Sequence, residues 1–74
     1  MPYVNSIKRL AIRDGLLQGV ETMLDFRFGE EGLKLMPEVQ EIHNYLLVEA
    51  VLKKTKTAES LEEIRQFVAE QPKD

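Results

Sequence analysis

This 74-residue chain contains no cysteine, so neither a disulfide nor a thiolate site can hold it together. It has one histidine, too few for a zinc cage built from nitrogen and sulfur ligands. No apolar run approaches the ~18–20 residues that a bilayer-spanning helix needs. Lys8, Arg9, Arg13 and Asp14 interrupt the first segment, so no signal-like apolar core opens the chain. An excess of base is missing too. Lys+Arg 10 against Asp+Glu 13 gives a net charge of −3, which argues against a primary nucleic-acid binder with a basic face. Strand-like alternation and low-complexity stretches are also lacking. These absences lead us to expect a cytoplasmic location and no cofactor.

Reactive constellations are equally scarce. No aspartate or glutamate is followed two residues later by lysine. Nucleases of the restriction type use such an acid-x-lysine pair, with a further acid, to hold a divalent ion and position water. Glu38 and Glu41, Glu21 and Asp25, and the group Glu59, Glu62 and Glu63 fall on expected solvent faces or at a helix start. Solvation and dipole complementation account for them. His43 has no Glu-x-x-His or His-x-x-x-His arrangement around it, and a helix end explains it. Ser6 and Ser60 read as caps. Gly29-Glu30-Glu31-Gly32 is not a phosphate loop, because two adjacent acids repel phosphate.

What is present is helical patterning. Domains of fewer than about 80 residues need disulfides, a metal, a well-packed helical core or oligomerisation. The first two are excluded, which leaves helix packing, self-association or a neighbouring domain. We expect an all-α fold over residues 1–74, a single small domain. It would have one long helix over about 6–28 and shorter ones over about 33–43, 45–54 and 60–69, forming a small bundle or an intertwined oligomer.

Asn5 or Ser6 can cap the first helix. At roughly 100° per residue, Tyr3, Val4, Ile7, Leu10 and Ala11 share one face. Leu16, Leu17, Val20, Met23 and Leu24 share another, and the changeover falls near Gly15. Either a bend at Gly15 brings both stripes to one core, or residues 3–12 dock on another chain or domain. Gly15 and Gly19, four apart, are either tolerated in the helix or form a contact patch. Gly29 is placed to end the helix as a left-handed cap, with Arg27 favourable at the dipole's negative end. Gly32 permits a second turn. Pro37 suits a first helical turn. Residues 33–36 are either a preceding turn or one helix with the next piece, kinked at Pro37. Asn44 is an N-cap for a helix that is apolar almost all round, hence central. Residues 55–59 read as a polar link. Ser60-Leu61-Glu62-Glu63 is a capping box, and Leu61, Ile64, Phe67 and Val68 give the last helix one narrow apolar stripe. Residues 71–74 read as a frayed tail.

Two small basic groups, Lys8, Arg9 and Arg13, and Lys53, Lys54 and Lys56, are the candidate phosphate contacts. They would make the chain a helical nucleic-acid-binding adaptor, which is the alternative reading.

The order of motifs carries a resemblance. Tyr3-Val4-Asn5-Ser6-Ile7-Lys8-Arg9-Leu10, Gly15-Leu16-Leu17-Gln18-Gly19, Arg27-Phe28-Gly29-Glu30-Glu31-Gly32-Leu33, Met36-Pro37-Glu38-Val39 and Lys56-Thr57-Ala58-Glu59-Ser60-Leu61-Glu62-Glu63 follow one another. Over residues 3–69 the chain resembles the C-terminal region of bacterial, often cyanobacterial, transposase-like proteins of the Rpn/PD-(D/E)XK nuclease family. Their tails often carry a domain of unknown function. The resemblance implies the tail of a longer protein whose nuclease residues lie upstream, so no catalytic residue carries over. The function expected is non-catalytic: oligomerisation, with a dimer favoured, or another accessory role for the nuclease-like parent. Ile7, Leu10, Leu17, Val20 and Leu24 are the expected interface. Pairing would have a purpose, since restriction-type nucleases often need two active units to cut both strands.

Overall fold

The computed structural model describes residues 2–72, with side chains from Lys8 onward. Four helices make up these described residues: α1 (Pro2–Leu33), α2 (Met36–Gln40), α3 (Tyr45–Thr57) and α4 (Leu61–Glu70). No strand is present among them. The fold is all-α, with one long opening helix and three shorter ones.

α1 already runs through Asn5 and Ser6, so neither begins it. The helix starts at Pro2, where a missing backbone N–H costs nothing. Helical angles continue through Gly15, and the sole internal break is Gly29, at φ 64 and ψ −144. That φ is positive, as expected of a glycine stop. The ψ lies outside the left-handed helical well, in a region that is essentially glycine's alone. One further helical turn, residues 30–33, then folds back.

Gly32 does not supply a turn. It is helical and buried, and a Cβ there would stand 2.5 Å from the Leu24 carbonyl oxygen and 3.0 Å from Phe28 Cβ. Its lack of a side chain lets the returning turn press onto α1.

Pro37 is the second residue of α2, with Leu35 at the N-cap position. It begins a helix rather than kinking one, because the first-turn amides have no intrahelical partner to lose. α2 closes at Gln40, short of the expected end, so His43 lies in the link to α3. The Asn44 side chain accepts a bond from the Leu46 amide at 2.9 Å and starts α3 as expected. α3 continues past Lys54 to Thr57, which corrects the polar link. Thr55 is helical and fully buried, and its hydroxyl donates to the Leu52 carbonyl at 2.6 Å. At α4 the Ser60 hydroxyl accepts from the Glu63 amide at 3.3 Å. The Glu63 carboxylate lies 4.0 Å from Lys54 Nζ. Gln71 is held at the end of α4, its side-chain amide donating to the Phe67 carbonyl at 2.9 Å; the rest of the expected tail, residues 73–74, lies outside the described residues.

The core draws Val20 and Leu24 from α1, Met36 and Val39 from α2, Val48 and Val51 from α3, and Ile64 and Val68 from α4, with Leu35, Ile42 and Ala58 from the links. Burying each of the larger side chains contributes about 1.5–3 kcal/mol. Contacts of α1 with α3 and the link that leads into it step forward together: Arg13 meets Ile42 in the link, Gly19 faces Leu52 and Arg27 meets Thr55. The two helices therefore run in the same direction. No described helix is long and apolar enough to cross a membrane.

Candidate association surface

α1 has an inner and an outer face. Val20 and Leu24 are fully buried in the core, and Leu16, Leu17 and Phe28 pack half-buried at its edge. Ala11, Asp14, Gly15, Gln18, Glu21, Thr22, Asp25 and Phe26 are all exposed on the other side.

The expected interface divides along this line. Val20 and Leu24 are spent inside their own protomer, since no accessible surface remains on either for a partner to cover. Leu17 is half-buried against the core. Leu10 is 66% exposed, because it lies one turn beyond Arg13, where the cover given by the α2–α3 link ends. The side chain of Ile7 lies outside the described residues. The chain's own residues therefore leave Leu10 of the first stripe uncovered. Ile12 is also exposed, at 47%, and Phe26 at 83%. Neither belongs to either stripe seen in the sequence. The signal was available for Phe26, which sits about 120° around the helix from Val20 at ~100° per residue.

The basic residues do not gather into one patch. Lys8 and Arg9 are exposed near the start of α1, while Lys53 and Lys56 are exposed near the end of α3. Because α1 and α3 run the same way, most of the length of α3 separates the two groups. Lys54 is occupied by Glu63 and sits 5.8 Å from the centre of the Phe67 ring.

Arg13 has a structural task. Its Nε donates to the Ile42 carbonyl at 2.9 Å and its Nη2 to the Gln40 carbonyl at 2.7 Å. These oxygens lie at and just past the end of α2, where carbonyls lack intrahelical partners and positive charge is favoured. Arg27 does the same for α3: its Nη1 donates to the Thr55 carbonyl at 2.7 Å. It serves that helix end rather than the dipole of α1, and its guanidinium lies 5.0 Å from the Phe28 ring centre.

A cleft of about 520 Å³ opens where α1 leaves the core, lined by Arg9, Leu10, Arg13, His43, Asn44, Tyr45 and Leu46. A smaller one of about 230 Å³ lies between Lys54 and α4, beside Glu63, Gln66, Phe67 and Glu70. His43 is exposed at the first cleft. Glu38, Glu41, Glu21, Asp25, Glu59 and Glu62 are exposed, and Glu63 is half-buried. Among the described residues no three histidine, cysteine or acidic side chains converge as metal ligands. No family model, curated protein or solved structure matches the chain.

Proposed function

We propose that this chain is a non-catalytic association module that holds copies of a larger protein together through α1. The observation that carries the reading is the division of that helix. One face is consumed by the protomer's core, while Ile12 and Phe26, off that face, remain in water. So small a chain has little core of its own, and a second copy would supply the missing cover. The motif resemblance to nuclease-family tails adds a purpose: a paired tail would bring two upstream nuclease-like domains together, one for each strand of a duplex.

Light scattering behind size exclusion, run over a wide concentration range, tests the reading. The expected result is a dimer mass at high concentration. A monomer of normal helicity at every concentration overturns it. Binding of duplex DNA that weakens steeply with salt, the signature of counterion release, would move the reading to a nucleic-acid adaptor.

A further inference from the structure

We propose that α1 pairs antiparallel with α1 of a second copy through its outward face, with Lys8 of each copy across from Asp25 of the other. This rests on the association reading and fixes its geometry.

The outward face has its own seam. Ala11, Gly15, Gln18 and Thr22 follow one another at alternating steps of four and three, the spacing by which one helix lies along another. All are exposed, and none is charged or bulky. Gly15 has no explanation inside the protomer. A Cβ there would meet nothing within 4 Å, whereas Gly19 makes room for Leu52, whose side chain would stand 3.3 Å from a Cβ. An unused glycine within a helix costs about 1 kcal/mol relative to alanine. Close approach of a second helix is the use that remains for it.

Charge chooses the occupant and its direction. Lys8 stands at one end of the seam, and Glu21 and Asp25 stand at the other. Among the described residues none of the three has an ion-pair partner. Glu21 and Asp25 are four apart on the helix, a like-charge arrangement that is mildly destabilising when left alone. A register that sets Gly15 across from Gln18 of a second, antiparallel copy also sets Ala11 across from Thr22 and Lys8 across from Asp25. Two-fold symmetry makes every one of these pairs twice. Parallel pairing would set lysine on lysine and the acidic end on the acidic end. The acids also repel nucleic acid from this face. In the antiparallel arrangement Phe26, 83% exposed in the protomer, lies over the opening turns of the other copy's α1.

Sedimentation equilibrium on the full chain and its variants decides the matter. Lys8→Glu and Asp25→Lys should each weaken dimerisation about tenfold, since each exchanges two exposed attractions for two repulsions. Their combination should restore it. Gly15→Leu should keep or raise helicity, having nothing in its own chain to strike, while losing the dimer. The chain has no cysteine, so orientation can be read with a short thiol crosslinker. Two Q18C chains should join, their Cα atoms offset by about 4.5 Å along the axis, and two K8C chains should not, being about 25 Å apart along it at ~1.5 Å per residue. Joined K8C chains, or a double charge variant no tighter than the single ones, overturn the antiparallel seam. Wild type that associates while every variant behaves like it overturns the seam and leaves the association reading standing. A wild-type monomer at all concentrations overturns both.

Discussion

Changing the four glycines to alanine one at a time should give four different outcomes, because the structure asks something different of each. Gly32 is the severe case. A Cβ there stands 2.5 Å from a backbone oxygen, and a carbonyl cannot swing aside as a side-chain tip can. Either the 30–33 turn lifts off α1 or the helix shifts, and overpacking of this kind costs about 1–3 kcal/mol. Gly29→Ala meets no obstacle in space, but its positive φ of 64 with that ψ costs on the order of 1–3 kcal/mol for a residue bearing a Cβ. Gly15→Ala removes the helix penalty and strikes nothing, a gain of about 1 kcal/mol. Gly19→Ala makes the same gain but must push Leu52 by a few tenths of an ångström, leaving it near neutral.

Thermal melts followed by far-ultraviolet circular dichroism read these values. In a domain of this size each kcal/mol moves Tm by roughly 4–8 °C. All melts need one protein concentration, low enough to keep the chain monomeric, since self-association would raise Tm by mass action. The expected order is Gly15→Ala above wild type, Gly19→Ala beside it, and Gly29→Ala and Gly32→Ala clearly below. If Gly32→Ala melts at or above wild type, the returning turn does not lie on the Leu24 carbonyl.

Other substitutions probe the helix ends and the two faces of α1. Arg13→Ala leaves the part-buried Ile42 carbonyl without its donor and the exposed Gln40 carbonyl to water, and should cost about 1–2 kcal/mol, read as a lower urea midpoint with unchanged slope. Arg13→Lys should recover only part of the loss, since an ammonium cannot span both oxygens as the guanidinium fork does. Asn44→Ala and Ser60→Ala each remove a side-chain cap and should cost about 1 kcal/mol apiece; their effects should add in the double variant. Leu24→Ala should cost about 2–5 kcal/mol as a core truncation, whereas exposed Leu10→Ala should stay within about 0.5 kcal/mol. Equal losses at the two leucines would contradict the assignment of inner and outer faces. Val20→Asp should unfold the protomer outright, so it cannot serve as a probe of association.

Much of the fold was legible because it depends on local rules. Asn44 and Ser60 announce helix starts by the bonds their side chains accept, and Gly29 announces a stop by the positive φ that glycine adopts at no steric cost. The 3.6-residue stripe through Leu16, Leu17, Val20 and Leu24 named the inner face of α1. The misreadings share a cause, which is that sequence shows a residue's own element but not the element beside it. Thr55 looked like part of a polar link, yet its hydroxyl is satisfied one turn back in its own helix, so it can be buried. Arg13 reads in sequence as a phosphate contact and Arg27 as a complement to the dipole of α1, yet each reaches carbonyls that are distant in sequence. Gly32 looked like a turn because its true constraint, the Leu24 carbonyl, exists only once the chain has folded back. A strong apolar stripe such as that of Val20 and Leu24 fits a partner or the chain's own core equally well, and only the position of α3 puts these two in the core.

The two arginines also explain where the inner face ends. Leu10, Leu17 and Leu24 recur every seven residues, and Arg13, Val20 and Arg27 recur every seven between them, so the six make one inward-facing seam of the a and d type. A seam meant only for apolar packing would not place arginine at two of its positions. These two fall where the facing chain offers carbonyl oxygens instead of side chains: Arg13 at the end of α2 and Arg27 at the end of α3. Val20, between them, meets the buried side chains. The arginines thus bound the stretch of α1 that its own chain can cover. Leu10 lies beyond that bound, and its exposure follows from where α3 begins rather than from any weakness of the seam. The outward face has no such bound, for among the described residues none covers it between Ala11 and Phe26. A helix carrying one seam closed by its own chain and a second left open over the same length is a spine that a single protomer only half uses.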